Sequence, residues 1–202
     1  MTAVRRQFGD ESGVQLEDAD MIRWIGDAQD VINYANKVLK STATIPAVIG
    51  QATYSFPASQ VLQIESLHYK GARLPNIPFA QAEESLIGAE PDATGMPSFW
   101  YEWGGTFTLW PAPDAADDIT IYYTSLVTKI PTNWDQNTLL SMPDKYFPDI
   151  VAYVLQQAYE MDEDWQASGA KAQQFSDNVS AKAEDERRAQ DMTFATITLI
   201  DD

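Results

Sequence analysis

The stretch "SMPDKYFPDIVAYVLQQAYEMDED", residues 141–164, decides how this chain folds. Within it Phe147, Ile150, Val151, Val154, Leu155, Ala158 and Tyr159 recur at spacings of three and four, forming one broad apolar stripe on a helix. Pro148 has no N–H to offer and fits the first helical turn, which makes 143–147 a separate turn before it. The residues upstream follow another period. From about 43 to 130, short alternating bursts are broken by Pro and Gly, as in antiparallel strands. Helical periodicity on both sides of a strand-rich segment makes that segment an excursion from a helical body.

The first helix begins near Asp18 or Asp20, either of which suits an N-cap. Met21, Ile22, Ile25, Ala28, Ile32, Ala35 and Leu39 fall on one face, and "STATIPAVIG" at 41–50 ends the helix near Lys40. A last helix starts after Asp162 or Asp164 and runs to about Asp191, with Trp165, Ala172, Phe175 and Val179 inward. It is followed by "TFATITLIDD", 193–202, whose alternation reads as a strand with no evident partner. The expected class is α+β: a helical bundle of about three long helices, an inserted antiparallel β domain and an extended strand-like C-terminal tail. Its parts are a flexible arm (1–17), the helical body (18–42 and 143–191), the β-rich insert (43–130), a connecting loop (131–142) and the tail (192–202).

Inside the insert, Leu62, Ile64 and Leu67 mark a core face, with a break in alternation near Ser66. The clearest hairpin is "SFWYEWGGTFTLWP", 98–111, where Gly104 and Gly105 supply the positive φ angles of a two-residue turn. That turn sets Trp103 opposite Thr106. Trp100, Phe107 and Leu109 then share one face, while Phe99, Tyr101, Trp103 and Trp110 share the other with Thr106 and Thr108. Four aromatic rings on one face suit a protein interface, a plain core layer or a platform for stacking sugar rings.

Composition narrows the chemistry. With 30 acidic against 13 basic residues the formal net charge is −17, which opposes conventional binding of nucleic acid through phosphates. The absence of cysteine excludes disulfides and thiolate metal sites. No apolar run is long enough to span a bilayer, and "MTAVRRQFGDES" has no apolar core after its arginines, so neither membrane span nor signal peptide is expected. His68 is the single histidine and is read as structural. No nucleophile elbow, Walker loop, dinucleotide glycine pattern or zinc-helix motif occurs. The carboxylate clusters Asp114/Asp117/Asp118, Asp162/Glu163/Asp164 and Glu184/Asp185/Glu186 match no calcium loop; they read as a turn, a helix break and a solvated face. No catalytic residue, metal or cofactor is expected.

Several segments in order carry a family resemblance: "MIRWIGDAQDVINYA" (21–35), "TYSFPASQVLQIESLHYKG" (53–71), "GMPSFWYEWGGTFTLWPAPD" (95–114) and "IPTNWDQNTLLSMPDKYFPDIVAYVLQQAYEMDED" (130–164). Through them, over about residues 20–165, the chain resembles the head-to-tail adaptor proteins of tailed bacteriophages. The resemblance implies a non-enzymatic virion protein of the neck, assembled in the host cytoplasm. It implies a dodecameric ring of neighbouring copies between the portal and a tail or nozzle protein, lining a channel that the genome crosses without sequence-specific binding. It also implies that the C-terminal segment grips the portal, which makes Phe194, Ile197, Leu199 and Ile200 the expected docking residues. The competing reading is a carbohydrate- or receptor-binding tail module that uses Phe99, Tyr101, Trp103 and Trp110 of the hairpin.

Overall fold

A computed structural model describes residues 1–56, 61–88, 90, 93–130 and 140–198, with side chains as far as Arg188. In chain order the elements are α1 (Thr2–Phe8), α2 (Asp18–Asn36), β1 (Lys40–Pro46), β2 (Thr53–Ser55), β3 (Val61–Tyr69) and β4 (Ala72–Leu74). Next come α3 (Phe79–Leu86), β5 (Thr94–Gly95), β6 (Phe99–Trp103), β7 (Thr106–Trp110), β8 (Ala112–Pro113) and β9 (Asp118–Ser125). A 3-10 turn (Asp144–Tyr146) leads into α4 (Phe147–Met161), and α5 (Trp165–Thr198) follows. The chain divides into a helical unit, Met1–Leu39 with Val127–Asp202, and an insert unit, Lys40–Leu126.

In the helical unit, α2 buries Met21, Trp24, Ile25, Ala28 and Ile32 against Ile150, Val151, Val154, Leu155 and Ala158 of α4, with Phe175 and Val179 of α5. The buried side of α2 also carries Gln29, Asn33 and Asn36, which periodicity had not marked. Each meets a specific backbone or hydroxyl group. Gln29 Oε1 accepts the Ser141 N–H at 2.9 Å, Asn33 Oδ1 accepts the Leu39 N–H at 3.0 Å, and Asn36 Nδ2 donates to Tyr146 Oη at 3.3 Å and the Val179 carbonyl at 3.1 Å. Ala35 is exposed instead of inward, because the face that is actually covered is rotated toward these polar residues.

The start of α4 is tied to α5 by charge. Asp149 is fully buried, pairs with Lys182 Nζ, and accepts a hydrogen bond from Asn178 Nδ2 at 3.1 Å. Glu186 Oε1 accepts from Tyr146 Oη at 2.8 Å and from Lys145 Nζ at 2.6 Å. Turning Asp149 inward turns its neighbour Phe147 outward, so Phe147 is exposed although its spacing suggested core. Trp165, expected inward, is exposed at the first position of α5, before that helix meets its packing partners.

Residues 1–17, read above as a flexible arm, carry α1 and a closed polar loop. Asp10 is buried and accepts the N–H groups of Val14, Gln15 and Leu16 at 2.8, 3.1 and 2.9 Å. Arg5 bridges Asp10, the Leu16 carbonyl and Asp18 at 2.9, 2.8 and 2.6 Å. Gly13 adopts φ 70°, a left-handed conformation that favours glycine, and an added Cβ there would also push on the Arg5 guanidinium, 2.8 Å away.

The insert is built on a four-stranded antiparallel sheet in the order β1-β9-β3-β4. Its first and last strands are neighbours, paired from Lys40↔Thr124 to Pro46↔Asp118, so the chain enters and leaves the insert side by side. The break in alternation near Ser66 is a register shift between Ile64 and Ser66. Glu65 lies in that shift, and its Oε1 accepts from Lys40 Nζ at 2.9 Å and Thr124 Oγ1 at 2.7 Å. Ile64, Leu67, Tyr69, Ile119 and Ile121 form a second core with Trp100, Phe107 and Leu109 from a three-stranded sheet, β2-β7-β6. A short parallel pair, β5-β8, completes the insert.

The expected fold class is therefore corrected: the described residues hold five α-helices and three sheets, more elements than a bundle of about three long helices with one inserted antiparallel β domain. Helix α3 lies within the insert, where eight residues were too few to declare a period against the surrounding strands. The extended tail is corrected as well, because residues 192–198 continue α5. Adding residues to an existing helix skips nucleation, and β-branched Thr and Ile each cost only about 0.5 kcal/mol relative to alanine there. Local alternation was the weaker signal.

Two outcomes test this framework. Burial alone would raise the Asp10 pKa, but three backbone N–H groups and Arg5 outweigh it and hold the carboxyl below its ordinary range. Its folded pKa thus lies below the unfolded value of about 3.9, so its stabilisation is complete above that value and is lost as pH falls through the folded pKa. Asp10→Asn should be less stable than the parent near neutral pH, with the gap in urea midpoints narrowing at about pH 3 and below. Lys182→Met leaves Asp149 buried without its cation and should cost about 3 kcal/mol in urea unfolding.

Candidate interaction surfaces

The aromatic hairpin adopts the register its glycines dictate. Gly104 and Gly105 have φ of 59° and 78°, and Trp103 pairs with Thr106, Tyr101 with Thr108 and Phe99 with Trp110. On the inner face Trp100 is 2% exposed, and its indole N–H donates to the Leu74 carbonyl at 3.2 Å, so it is a core residue with its polar atom satisfied. On the outer face Phe99, Tyr101 and Trp110 are half-buried, while Trp103 is 62% exposed. Phe79 from α3 stacks on Trp103 with centroids 4.2 Å apart and packs on Tyr101 at 5.7 Å. Sequence reasoning missed Phe79; Pro78 followed by Phe79, Ala82 and Leu86 at helical spacing was the available signal.

Grooves open on the described part of the helical unit. One, of about 250 Å³, is lined by Ala3 and Gln7 of α1, Phe147, Pro148 and Val151 of α4, and Lys171 of α5 among others. Another, of about 190 Å³, lies between α2 and residues 127–130 and holds Arg23, Asp27, Asp30 and Lys129. Burial and repulsion from Asp27 raise the Asp30 pKa, with Lys129 opposing them. On the insert, the loop after β1 presents Val48 and Ile49, 51% and 61% exposed. It is an ordered loop: Tyr54 Oη accepts the Val48 N–H at 3.1 Å, Gly50 N–H donates to the Pro113 carbonyl at 2.9 Å, and Ala47 N–H to the Asp117 carbonyl at 2.7 Å.

Four of the titratable residues singled out by sequence make structural contacts. His68 packs edge-on against Tyr122 with centroids 5.1 Å apart and faces Arg73 across the strands. Asp117 pairs with Lys70 at 2.9 Å, Asp164 Oδ1 accepts the Ala167 N–H at 3.0 Å at the start of α5, and Glu186 holds Tyr146. Among the described residues no three carboxylate or histidine groups converge as a metal site. Of the expected docking residues, Phe194 and Ile197 lie within the span of α5, and Leu199 and Ile200 lie outside the described residues.

A family model described as "SU10 adaptor protein" matches residues 1–197. The match spans nearly the whole chain, and the chain therefore belongs to this family of phage head-to-tail adaptors. No curated protein sequence matches it.

The two hairpin faces differ in what a truncation should do. Trp100→Ala should destabilise the insert by about 3–5 kcal/mol, whereas Trp103→Ala should leave the melting temperature within a few degrees of the parent's, both read by thermal unfolding.

Proposed function

We propose that this adaptor protein joins a phage head to its tail as a ring of copies, probing no DNA sequence and performing no catalysis. The observation that carries the reading is the family match over residues 1–197, which spans both the helical unit and the insert. In this reading the ring is a dodecamer seated in the virion neck, with the portal on one side and a tail or nozzle protein on the other. The genome crosses its lumen, and the charge of −17 suits that passage because an acidic wall gives phosphates no cations to bind.

The end of the chain is the portal-docking element in this proposal. Its backbone is helical as far as Thr198, so the docking would be that of a helix end presenting residues from Phe194 onward, and not the addition of a strand. The outer aromatic face is assigned to protein contact. A sugar platform needs several open rings, and Trp103 is the only large exposed hydrophobic among Phe99, Tyr101, Trp103 and Trp110.

The test mixes purified chain with portal and images the product by electron microscopy. The full chain should cap the portal as a ring. A chain ending at Asp191 should lose only the helical signal of residues 192–198 and keep the parent's melting temperature, but leave the portal bare. Capping by the truncated chain would reject the docking role, and a portal left bare by the full chain would reject the adaptor-ring reading.

A further inference from the structure

We infer that the Val48–Ile49 loop of one copy seats in the groove between α1, α4 and α5 of a second copy. The inference rests on the proposed self-assembly and supplies a contact for it.

The loop has the properties of a knob. Val48 and Ile49 are branched, apolar and mostly exposed, yet the backbone beneath them is fixed. Tyr54 Oη both accepts the Val48 N–H and donates to the Val48 carbonyl, at 3.1 and 3.3 Å. Gln51 N–H closes a turn onto the same carbonyl at 3.0 Å, and Gly50, at φ 77°, reaches Pro113. Tyr54 is itself buried and stacked on Phe107 with centroids 5.5 Å apart. A loop with no role in contact gains nothing from holding two aliphatic side chains rigidly in water. A loop ordered beforehand loses little entropy when it binds.

The groove has the properties of a matching hole. Its apolar walls come from Ala3, Phe147 and Val151, with Gln7, Lys171 and Gln174 around them. An apolar cavity of ~150 Å³ accepts a benzene-sized group, so about 250 Å³ has room for branched aliphatic side chains. Phe147 is exposed here because Asp149 is committed to Lys182, which leaves an aromatic edge to be covered.

The local charges of the two patches fit a second copy as the occupant. Copies that each carry −17 repel one another unless their few cations face carboxylates. Lys171 lines the groove, and Arg6 is exposed on α1 beside Gln7. The carboxylate that the loop offers them is exposed Asp114, which follows Pro113, the residue that holds Gly50; Asp117, whose carbonyl holds Ala47, is paired with Lys70. Knob and hole are different patches of the same chain, so the contact is heterologous and repeats from copy to copy, as a ring requires.

Because the chain has no cysteine, the introduced thiols are the only ones it carries. Purified full-length chain carrying both Ile49→Cys and Gln7→Cys should give a ladder of dimers, trimers and longer species on oxidation. Either substitution alone should give no ladder, and adding Val48→Asp should reduce it at least tenfold with an unchanged melting temperature. The contact is overturned if the double variant gives no ladder, free or mixed with portal, or if the ladder survives Val48→Asp. Imaging the double variant on portal separates the two readings, since rings without a ladder would sink this contact and leave the adaptor reading standing.

Discussion

The side-chain amide of Asn36 joins the part of the helical unit that precedes the insert to the part that follows it. Its nitrogen donates to the hydroxyl of Tyr146, 110 residues away, and to the carbonyl of Val179, 143 residues away. α2 is made before the insert and its partners after it, so these bonds and the apolar face around them must close over a long excursion of chain. An excursion of that size is tolerable because its entropic cost grows only with the logarithm of length. Folding the insert reduces it further: once β1 and β9 pair, the two ends of the excursion are neighbours whatever the length between them. Gln29 and Asn33 extend the same arrangement along α2, one catching the chain as it returns at Ser141 and the other as it departs at Leu39.

This polar row also shows where sequence reading stopped. Periodicity found α2 and α4 because their apolar stripes are long, and the hairpin was found because Gly104-Gly105 accepts the positive φ angles that a two-residue turn requires. It had no means of seeing that Gln29, Asn33 and Asn36 are interior, since a buried amide is justified only by partners far away in sequence. The same blindness misplaced Phe147 and Trp165. Their positions were assigned from spacing, whereas the inward direction at each helix start was set by Asp149 in one case and by the lack of a neighbour in the other. Buried amides retain a cost, and Gln29 Nε2 and Asn36 Oδ1 have no hydrogen-bond partner among the described residues.

The candidate surfaces were legible in part for a related reason. A strand's two faces follow from parity, so the split between Trp100 and Trp103 could be read directly, but the degree of exposure could not. That depended on α3, whose Phe79 covers one side of Trp103. The family was visible in the order of segments, because an ordered set of caps, turns and core stripes contains more information than any one of them. The helical end of α5 was not visible, since its residues alternate locally while the backbone simply prolongs a helix already formed.

The register shift at Glu65 has a mechanical consequence. The two strands that connect the insert to the rest of the chain, β1 and β9, meet it at the same end of their ladder, so any tension that parts them arrives at the Lys40–Thr124 pair first. Hydrogen bonds loaded in this way fail one at a time, like a zip, and the strength of the whole sheet is then that of its first pair. Glu65 is the residue that grips both members of that pair, one through an ammonium group and the other through a hydroxyl. A defect in strand register thus puts a rivet at the place where peeling would begin.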